Sequence, residues 1–361
     1  MRQKFCDKTG LKRYAAISIM LLAVLLTGCA AKGSANTGSS TDAGPKRKLI
    51  IDTDTGADDA SAIILAACNE NVDILGVTVL VGNVDLEQGT QNALMALEVA
   101  GSDAPVYKGS DENLSGEKVE AFSVYGNDGM GDAGLIHPTK TAESEEAIDF
   151  ILDSVNKYPG EVELVAIGPA TNIAKAIERD PETMKKVKMI WSMGTAGLGP
   201  GNATPVAEFN VISDAEAYKA MLDSGLPITI VGLDMCGGGS EWTNEEFDKL
   251  AKTNDAGRFV RDSFAKLREF YASNGSADSV MNCDALAMTC VLYPDFIKDT
   301  FLCHGSCITD PGETYGEVIF YRQGFVYDTG AVDYDFNVTL VSEADKESFF
   351  DRYQSAIKPL N

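Results

Sequence analysis

The sequence predicts an α/β fold: a doubly wound, mostly parallel sheet flanked by helices in a single domain. Three observations predict it. From Lys48 onward, short apolar runs alternate with stretches of helical periodicity in the order βαβα. Gly-rich segments fall where those runs end, at Gly56, Gly82, Gly168, Gly194 to Gly201 and Gly237 to Gly239. The chain of 361 residues is 45% apolar and 23% charged, an ordinary globular composition with ample material for a core. In such a sheet, ligands collect at the carboxyl ends of the strands.

The elements follow in order. Leu49 to Ile51 is a strand that enters an acidic loop, and Ala60 to Ala67 is a helix. Ile74 to Val81 is a second buried run, and Leu86 to Ala100 an amphipathic helix. Val162 to Ile167 reads as a strand, Asn172 to Arg179 as a helix and Val187 to Met193 as a strand. Asp214 to Ser224 is then a helix and Ile228 to Leu233 a strand. The last stretch carries aromatic-rich strand patterns such as Gly316 to Tyr321, then a short helix near Glu343 to Ile357. Residues 48–361 read as one domain without internal repeats.

The head is of another kind. Residues 1–28 hold Arg2, Lys4, Lys8, Lys12 and Arg13 against Asp7, followed by the apolar run Ala15 to Leu26. That run is short of the about 20 residues a spanning helix needs, and it reads as a signal-peptide core. Leu26-Thr27-Gly28-Cys29 resembles the bacterial lipobox, which implies lipidation of Cys29. Residues 29–47 are rich in Gly, Ser and Ala and read as a tether that reaches about 25 Å as a random coil. A lipid-anchored protein on the extracytoplasmic face of the cell membrane is the expectation; an ordinary signal peptide with a chance Cys is the alternative.

Charge and cysteine usage narrow the function. With 30 Lys+Arg against 54 Asp+Glu and a net charge of -24, a nucleic-acid-binding surface is excluded, and small molecules or metal cations are the expected partners. Beyond the head, Cys68, Cys236, Cys283, Cys290, Cys303 and Cys307 are too widely spread for a disulfide framework. Cys303 and Cys307, on either side of His304, have the spacing of a bridge or a soft-metal pair. Buried, strand-borne thiols are the plainer reading, because matching soft ligands are missing.

The acidic loop Asp52 to Asp59, DTDTGADD, places four carboxylates where a buried strand turns into a helix. Like charges this close raise one another's pKa unless a cation or a helix N-terminus offsets them. Oxygen-only ligands favour a hard cation, and a flexible cluster leans to Ca²⁺. Helix capping by Asp58 and Asp59, with Asp52 as a turn residue, is the competing reading. An EF-hand fails, because its twelfth position counted from Asp52 is Ile63 rather than Glu. A haloacid-dehalogenase-type phosphatase, with Asp52 as nucleophile in Asp52-Thr53-Asp54, remains open despite Gly56 at its usual Thr or Val.

Four segments together decide the matter: KLIIDTDTGADDA, TVLVGN ending at Asn83, IGPATNIA from Ile167, and MGTAGLGPGNATPVAEFN from Met193 to Asn210. In this order they closely resemble the nucleoside hydrolase family, calcium-dependent N-ribohydrolases, over Lys48 to Ile357. The resemblance implies Ca²⁺ held by Asp54, Asp59, the Ile167 carbonyl and Asp284. It implies Asp58, Asn83, Asn210 and Asp284 on the ribose 2′ and 3′ hydroxyls, Asn202 and Glu208 on the 5′ hydroxyl, and Met193 beside the sugar. Asp54 and Asn210 are the implied catalytic residues, Asp54 as base toward water and Asn210 as a polar partner of the developing sugar cation. Thr55 departs from the family's usual Pro, which should relax the turn without removing a ligand.

The greater departure concerns the leaving base. Cys283 and Tyr125 stand where large groups of the family have His, and His137 and His304 are the only histidines in the chain. A neutral thiol or phenol is a poor acid at pH 7, so a water chain, or stacking on Tyr125, Trp242 or another aromatic residue, is left to assist departure. The leading expectation is hydrolysis of ribonucleosides to ribose and free base. A nucleoside-binding lipoprotein without turnover is the alternative, the phosphatase is weaker, and a homo-oligomer stays open.

Overall fold

The computed structural model describes residues 45–116, 123–275, 278–325 and 334–358. The signal-peptide, lipidation and tether expectations at residues 1–28, Cys29 and 29–47 lie almost wholly outside the described residues. Among the described residues no helix is long and apolar enough to cross a membrane.

In chain order the elements are β1 (Arg47–Thr53), α1 (Ala57–Ala67), β2 (Val72–Val79), α2 (Leu86–Val99), β3 (Val106–Lys108), α3 (Ala147–Lys157), β4 (Val162–Ala166), α4 (Thr171–Arg179), α5 (Pro181–Met184) and β5 (Met189–Met193). Then follow α6 (Phe209–Ser213), α7 (Ala215–Asp223), β6 (Ile228–Val231), β7 (Trp242–Thr243), α8 (Asn244–Ala251), α9 (Asp255–Ser263), α10 (Ala265–Ser273), β8 (Ser279–Val280), α11 (Cys283–Leu292), β9 (Ile297–Cys307), β10 (Val318–Arg322), β11 (Val338–Ala344) and α12 (Phe349–Ala356). The main sheet runs β10-β9-β11-β6-β5-β4-β1-β2-β3, and β7 pairs separately with β8. From β3 to β11 all neighbours are parallel, while β9 runs antiparallel to both β11 and β10. The mostly parallel, doubly wound prediction holds.

Successive residues of β1 feed opposite faces. Leu49 and Ile51 pack into a core with α1, α11 and the aromatic cluster around α8 and α12, whereas Ile50 packs with residues of α3, α4 and α7. The order of strands reverses between β1 and β4, and their carboxyl ends leave a crevice at that switch point. The acidic loop begins there.

Two expectations, the last helix and Trp242, are corrected, while for Cys303 and Cys307 the plainer reading of buried, strand-borne thiols holds. Glu343 to Phe349 is not helical throughout: β11 runs to Ala344 and α12 begins only at Phe349, after a 3₁₀ turn Lys346–Ser348. Cys303 and Cys307 are free thiols buried on one face of β9. Four residues of extended strand separate them by about 13 Å, beyond any disulfide. Trp242 is buried among Phe247, Phe349, Phe350 and Tyr353 and lines no part of the functional cavity. It is core, because its large apolar surface fills the space between α8 and α12.

Candidate functional site

At the end of β1 the chain turns through Asp54, Thr55 and Gly56 into α1. Thr53 Oγ1 donates to Asp59 Oδ1 at 2.6 Å and accepts the Thr55 N–H at 3.1 Å, a bond that Pro could not donate. Thr55 therefore fastens the turn instead of relaxing it. Asp59 Oδ2 accepts the Gly56 N–H at 2.9 Å and Asn83 Nδ2 at 3.1 Å, so the capping reading is correct for one Asp and insufficient for four. Asp54 Oδ2 accepts the Asn83 N–H at 2.6 Å. Two glycines press on this carboxylate: a Cβ at Gly82 would lie 2.1 Å from Asp54 Oδ2, and one at Gly168 would lie 2.8 Å from Oδ1. Those glycines are there because the backbones after β2 and β4 close on Asp54 from both sides.

Asp284 comes from the start of α11, more than 200 residues away, where α11 packs along α1. Single carboxylate oxygens of Asp58, Asp59 and Asp284 all lie within 4.8 Å of one another. Asp54 is outside this tightest trio. All four are buried, and burial followed by mutual repulsion pushes the carboxyls of Asp54, Asp59 and Asp284 up, Asp54 to about 7. Asp58 is raised mainly by burial, with the Tyr125 hydroxyl partly offsetting it. Asp54 Oδ1 and Asp58 Oδ1 have no hydrogen-bond partner although buried. Orphaned anionic oxygens are costly without a cation, and a donor set of carboxylates and carbonyls fits a hard cation better than zinc. The Ile167 carbonyl accepts Asn210 Nδ2 at 3.1 Å and retains a second lone pair.

These groups open on a cavity of about 370 Å³. Asp58, Asn83, Ile167, Met193, Asn202, Glu208, Asn210 and Asp284 all line it, as do Tyr125 and Cys283. Asn210 Nδ2 also donates to the Met193 carbonyl at 3.3 Å, which ties α6 to the ends of β4 and β5. Glu208 caps α6, accepting from Asn210 N at 2.9 Å and Val211 N at 3.3 Å, and burial raises its carboxyl to about 7. Asn202 accepts the Phe209 N–H at 2.9 Å through its side-chain oxygen. Asp54 sits beneath the lining.

Asp52 is elsewhere. It is buried below the site, where its Oδ1 accepts from Thr78 Oγ1 at 2.5 Å and Asn172 Nδ2 at 2.8 Å, and it does not line the cavity. An Asp52 nucleophile is thereby ruled out, and the phosphatase reading with it. The same cavity is also lined by Val124, Leu267, Phe270, Tyr271 and Met281, a largely apolar wall that the sequence reading missed. Its signal was the helical spacing of Leu267, Phe270 and Tyr271 on α10, which is also the signal of ordinary core. Burial and the neighbouring acids push the Tyr125 hydroxyl up, and the facing Cys236 thiol, then burial, raises the Cys283 thiol. Both stay neutral at pH 7.

Comparison with known proteins agrees with this geometry. Residues 49–351 match the family described as inosine-uridine preferring nucleoside hydrolase. Uridine nucleosidase 1 of Arabidopsis thaliana is 35% identical over 284 residues, covering 74% of this chain and 83% of that protein. A plant nucleoside hydrolase, PpNRh1, superposes with a TM-score of 0.81 at 30% identity, over 88% of this chain and 100% of that one. A purine-preferring ribonucleoside hydrolase from Gardnerella vaginalis gives a TM-score of 0.79 at 30% identity, over 86% of this chain and 98% of that one.

Proposed function

The chain belongs to the inosine-uridine preferring nucleoside hydrolase family, and from that premise we propose how its cavity acts on a ribonucleoside. It is an enzyme that hydrolyses ribonucleosides to ribose and free base. The observation that carries the reading is the convergence on one cavity of carboxylates and amides from five segments, with two buried carboxylate oxygens left unpartnered.

In this reading Asp54, Asp59, Asp284 and the Ile167 carbonyl hold Ca²⁺, with Asp58 adjoining. When bound, the cation offsets the clustered negative charge, anchors vicinal hydroxyls and acidifies a water. The chain's own groups do the rest. Asp58, Asn83, Asn210 and Asp284 hold the 2′ and 3′ hydroxyls, and Asn202 and Glu208 hold the 5′ hydroxyl, so the anomeric carbon is fixed near Asp54. Asp54 Oδ1 takes the proton of the attacking water, while the Asn83 N–H holds Oδ2 in place. Positive charge developing on the sugar meets buried carboxylates and amide oxygens, which are oriented before the reaction begins.

The base then faces Val124, Tyr125, Tyr271, Phe270 and Met281. With Tyr125 and Cys283 neutral, no group on that wall acts as a strong acid. Nucleosides whose base departs readily as an anion, uridine among them, are therefore the favoured substrates. The binding-only alternative is disfavoured because Asp54 Oδ1 is retained and unpartnered. The basic head, the apolar run and the lipobox support a lipid anchor at Cys29 on the extracytoplasmic face. Cys29→Ala should release the chain from detergent-phase partitioning, and unchanged partitioning would count against the anchor.

The substrate reading is tested by incubating the purified protein with uridine, inosine and p-nitrophenyl riboside and assaying reducing sugar. Cleavage of uridine and the nitrophenyl riboside is expected. Binding of all three without sugar release would restore the binding-protein alternative.

A further inference from the structure

Thr195, directly after β5 and Gly194, adopts φ 73°, a left-handed conformation that a β-branched residue rarely takes. It is buried, and bonds on every side hold it there. Its N–H donates to Glu208 Oε2 at 3.3 Å, its Oγ1 accepts the Gly197 N–H at 3.0 Å, and its carbonyl accepts the Leu233 N–H at 3.0 Å. The other donors to Glu208, the N–H groups of Phe209, Asn210 and Val211, lie in the helix that Glu208 itself caps. Thr195 therefore supplies the tie between the Glu208 carboxylate and the end of the central sheet.

The same residue starts a strap, residues 195–202, that delivers Asn202 to the cavity mouth. Farther along, Asp234 Oδ2 accepts the Leu198 N–H at 3.1 Å, and Asp234 lies so close that a Cβ on Gly197 would be 1.8 Å from its Oδ1. Its far end is fixed by Asn202 Oδ1 on the Phe209 N–H. Glycine would take the conformation of residue 195 without strain. The threonine hydroxyl is what glycine would lack, and it satisfies the Gly197 N–H at the strap's first turn.

We infer that Thr195 is a positioning residue for recognition of the ribose 5′ end: its N–H aims Glu208, and its hydroxyl fastens the strap that carries Asn202. The inference rests on the reading that Glu208 and Asn202 hold the 5′ hydroxyl, and it adds the residue that makes those two groups act together. Substrate is not touched by Thr195, so its loss should appear as a selective weakening of binding.

The test compares uridine with 5′-deoxyuridine for Thr195→Gly, Thr195→Val, Thr195→Ser and Glu208→Gln, reading KM and kcat separately. Every Thr195 variant keeps the backbone N–H and its bond to Glu208; loss of the hydroxyl that accepts the Gly197 N–H, a bond between neutral groups, corresponds to about threefold to tenfold in affinity. Thr195→Gly, which tolerates φ 73° and so keeps the fold, should raise KM for uridine by about that factor, change kcat far less, and leave 5′-deoxyuridine much less affected. Thr195→Val keeps the bulk and drops the hydroxyl, and should follow Thr195→Gly, whereas Thr195→Ser should restore the wild-type preference. Equal losses on both substrates would reduce Thr195 to a packing role and overturn the inference. Preference for the 5′ hydroxyl that disappears in Glu208→Gln but survives in Thr195→Gly would overturn it while sparing the ribose reading. A wild-type enzyme that treats the two nucleosides alike would overturn both.

Discussion

Gly82→Ala adds one methyl group next to the most confined carboxylate of the site. A Cβ at this position would sit 2.1 Å from Asp54 Oδ2 and 2.7 Å from both Asp54 Cβ and Cγ. The carboxylate must then retreat by roughly 1 Å to restore ordinary van der Waals contact. Retreat is blocked on its other side, because a Cβ at Gly168 would already be 2.8 Å from Oδ1, which shows how closely that backbone approaches. Moving away also breaks the 2.6 Å bond from the Asn83 N–H, and that donor is buried. Overpacking costs about 1–3 kcal/mol, and an unsatisfied buried donor about as much again. Displacement of a catalytic group by about 1 Å lowers turnover by about 10²-fold. The assay is kcat/KM on uridine by sugar release, beside a thermal melt. Gly101→Ala serves as control: its φ of 70° costs some stability, but nothing lies within 4 Å of the new methyl, so turnover should be kept. Wild-type turnover and melting in Gly82→Ala would refute the confinement of Asp54.

Three further outcomes are expected. Asp54→Asn should cut kcat on uridine and on p-nitrophenyl riboside alike, since attack by water is needed whatever the leaving group; normal turnover would remove Asp54 from the chemistry. Cys283→Ala should leave the nitrophenyl riboside nearly unaffected, and equal loss on uridine and the activated riboside would assign the thiol to packing beside Asp284. Glu163→Gln probes the sheet rather than the site. Burial alone would raise the Glu163 carboxyl, but bonds from Arg47, Trp191 and Lys188 overcome it and hold it down to about 2. A carboxyl depressed in the folded state stabilises it above the unfolded value of about 4.3, and that contribution is lost as pH falls toward 2. After allowance for the partly exposed Arg47 and Lys188, the substitution should cost about 2 kcal/mol at pH 7, by urea unfolding, and progressively less toward pH 3. A cost that does not change with pH would contradict the assignment.

What the sequence disclosed follows from how locally each feature is encoded. DTDTGADD was legible because a strand, a turn and a helix start lie within a dozen residues, and strand period and capping chemistry are local properties. The placement of Asp284 was not, since α11 meets α1 only through tertiary packing; the family motifs supplied it. Trp242 shows the opposite failure. An aromatic residue near a Gly-rich loop has no sequence mark that separates a stacking surface from core, and here four rings enclose it. Phe270 and Tyr271 carry the converse ambiguity, because helical apolar spacing serves a ligand wall as well as a core. The antiparallel end of the sheet was only partly visible: β11, VTLVSEA, ends in Ser-Glu-Ala, residues that favour helix as readily as strand, and pairing of Glu343 and Ala344 with β9 decides it.

The most direct measurement is a calcium titration of chelated, metal-free protein, with uridine hydrolysis and calorimetric binding followed in the same preparation. One Ca²⁺ per chain should bind, activity should return in proportion to occupancy, and the melting temperature should rise because the ion binds the folded state. Asp284→Asn should weaken binding and activity together. Full turnover in a preparation shown by elemental analysis to hold no metal would contradict the assignment of the buried aspartates.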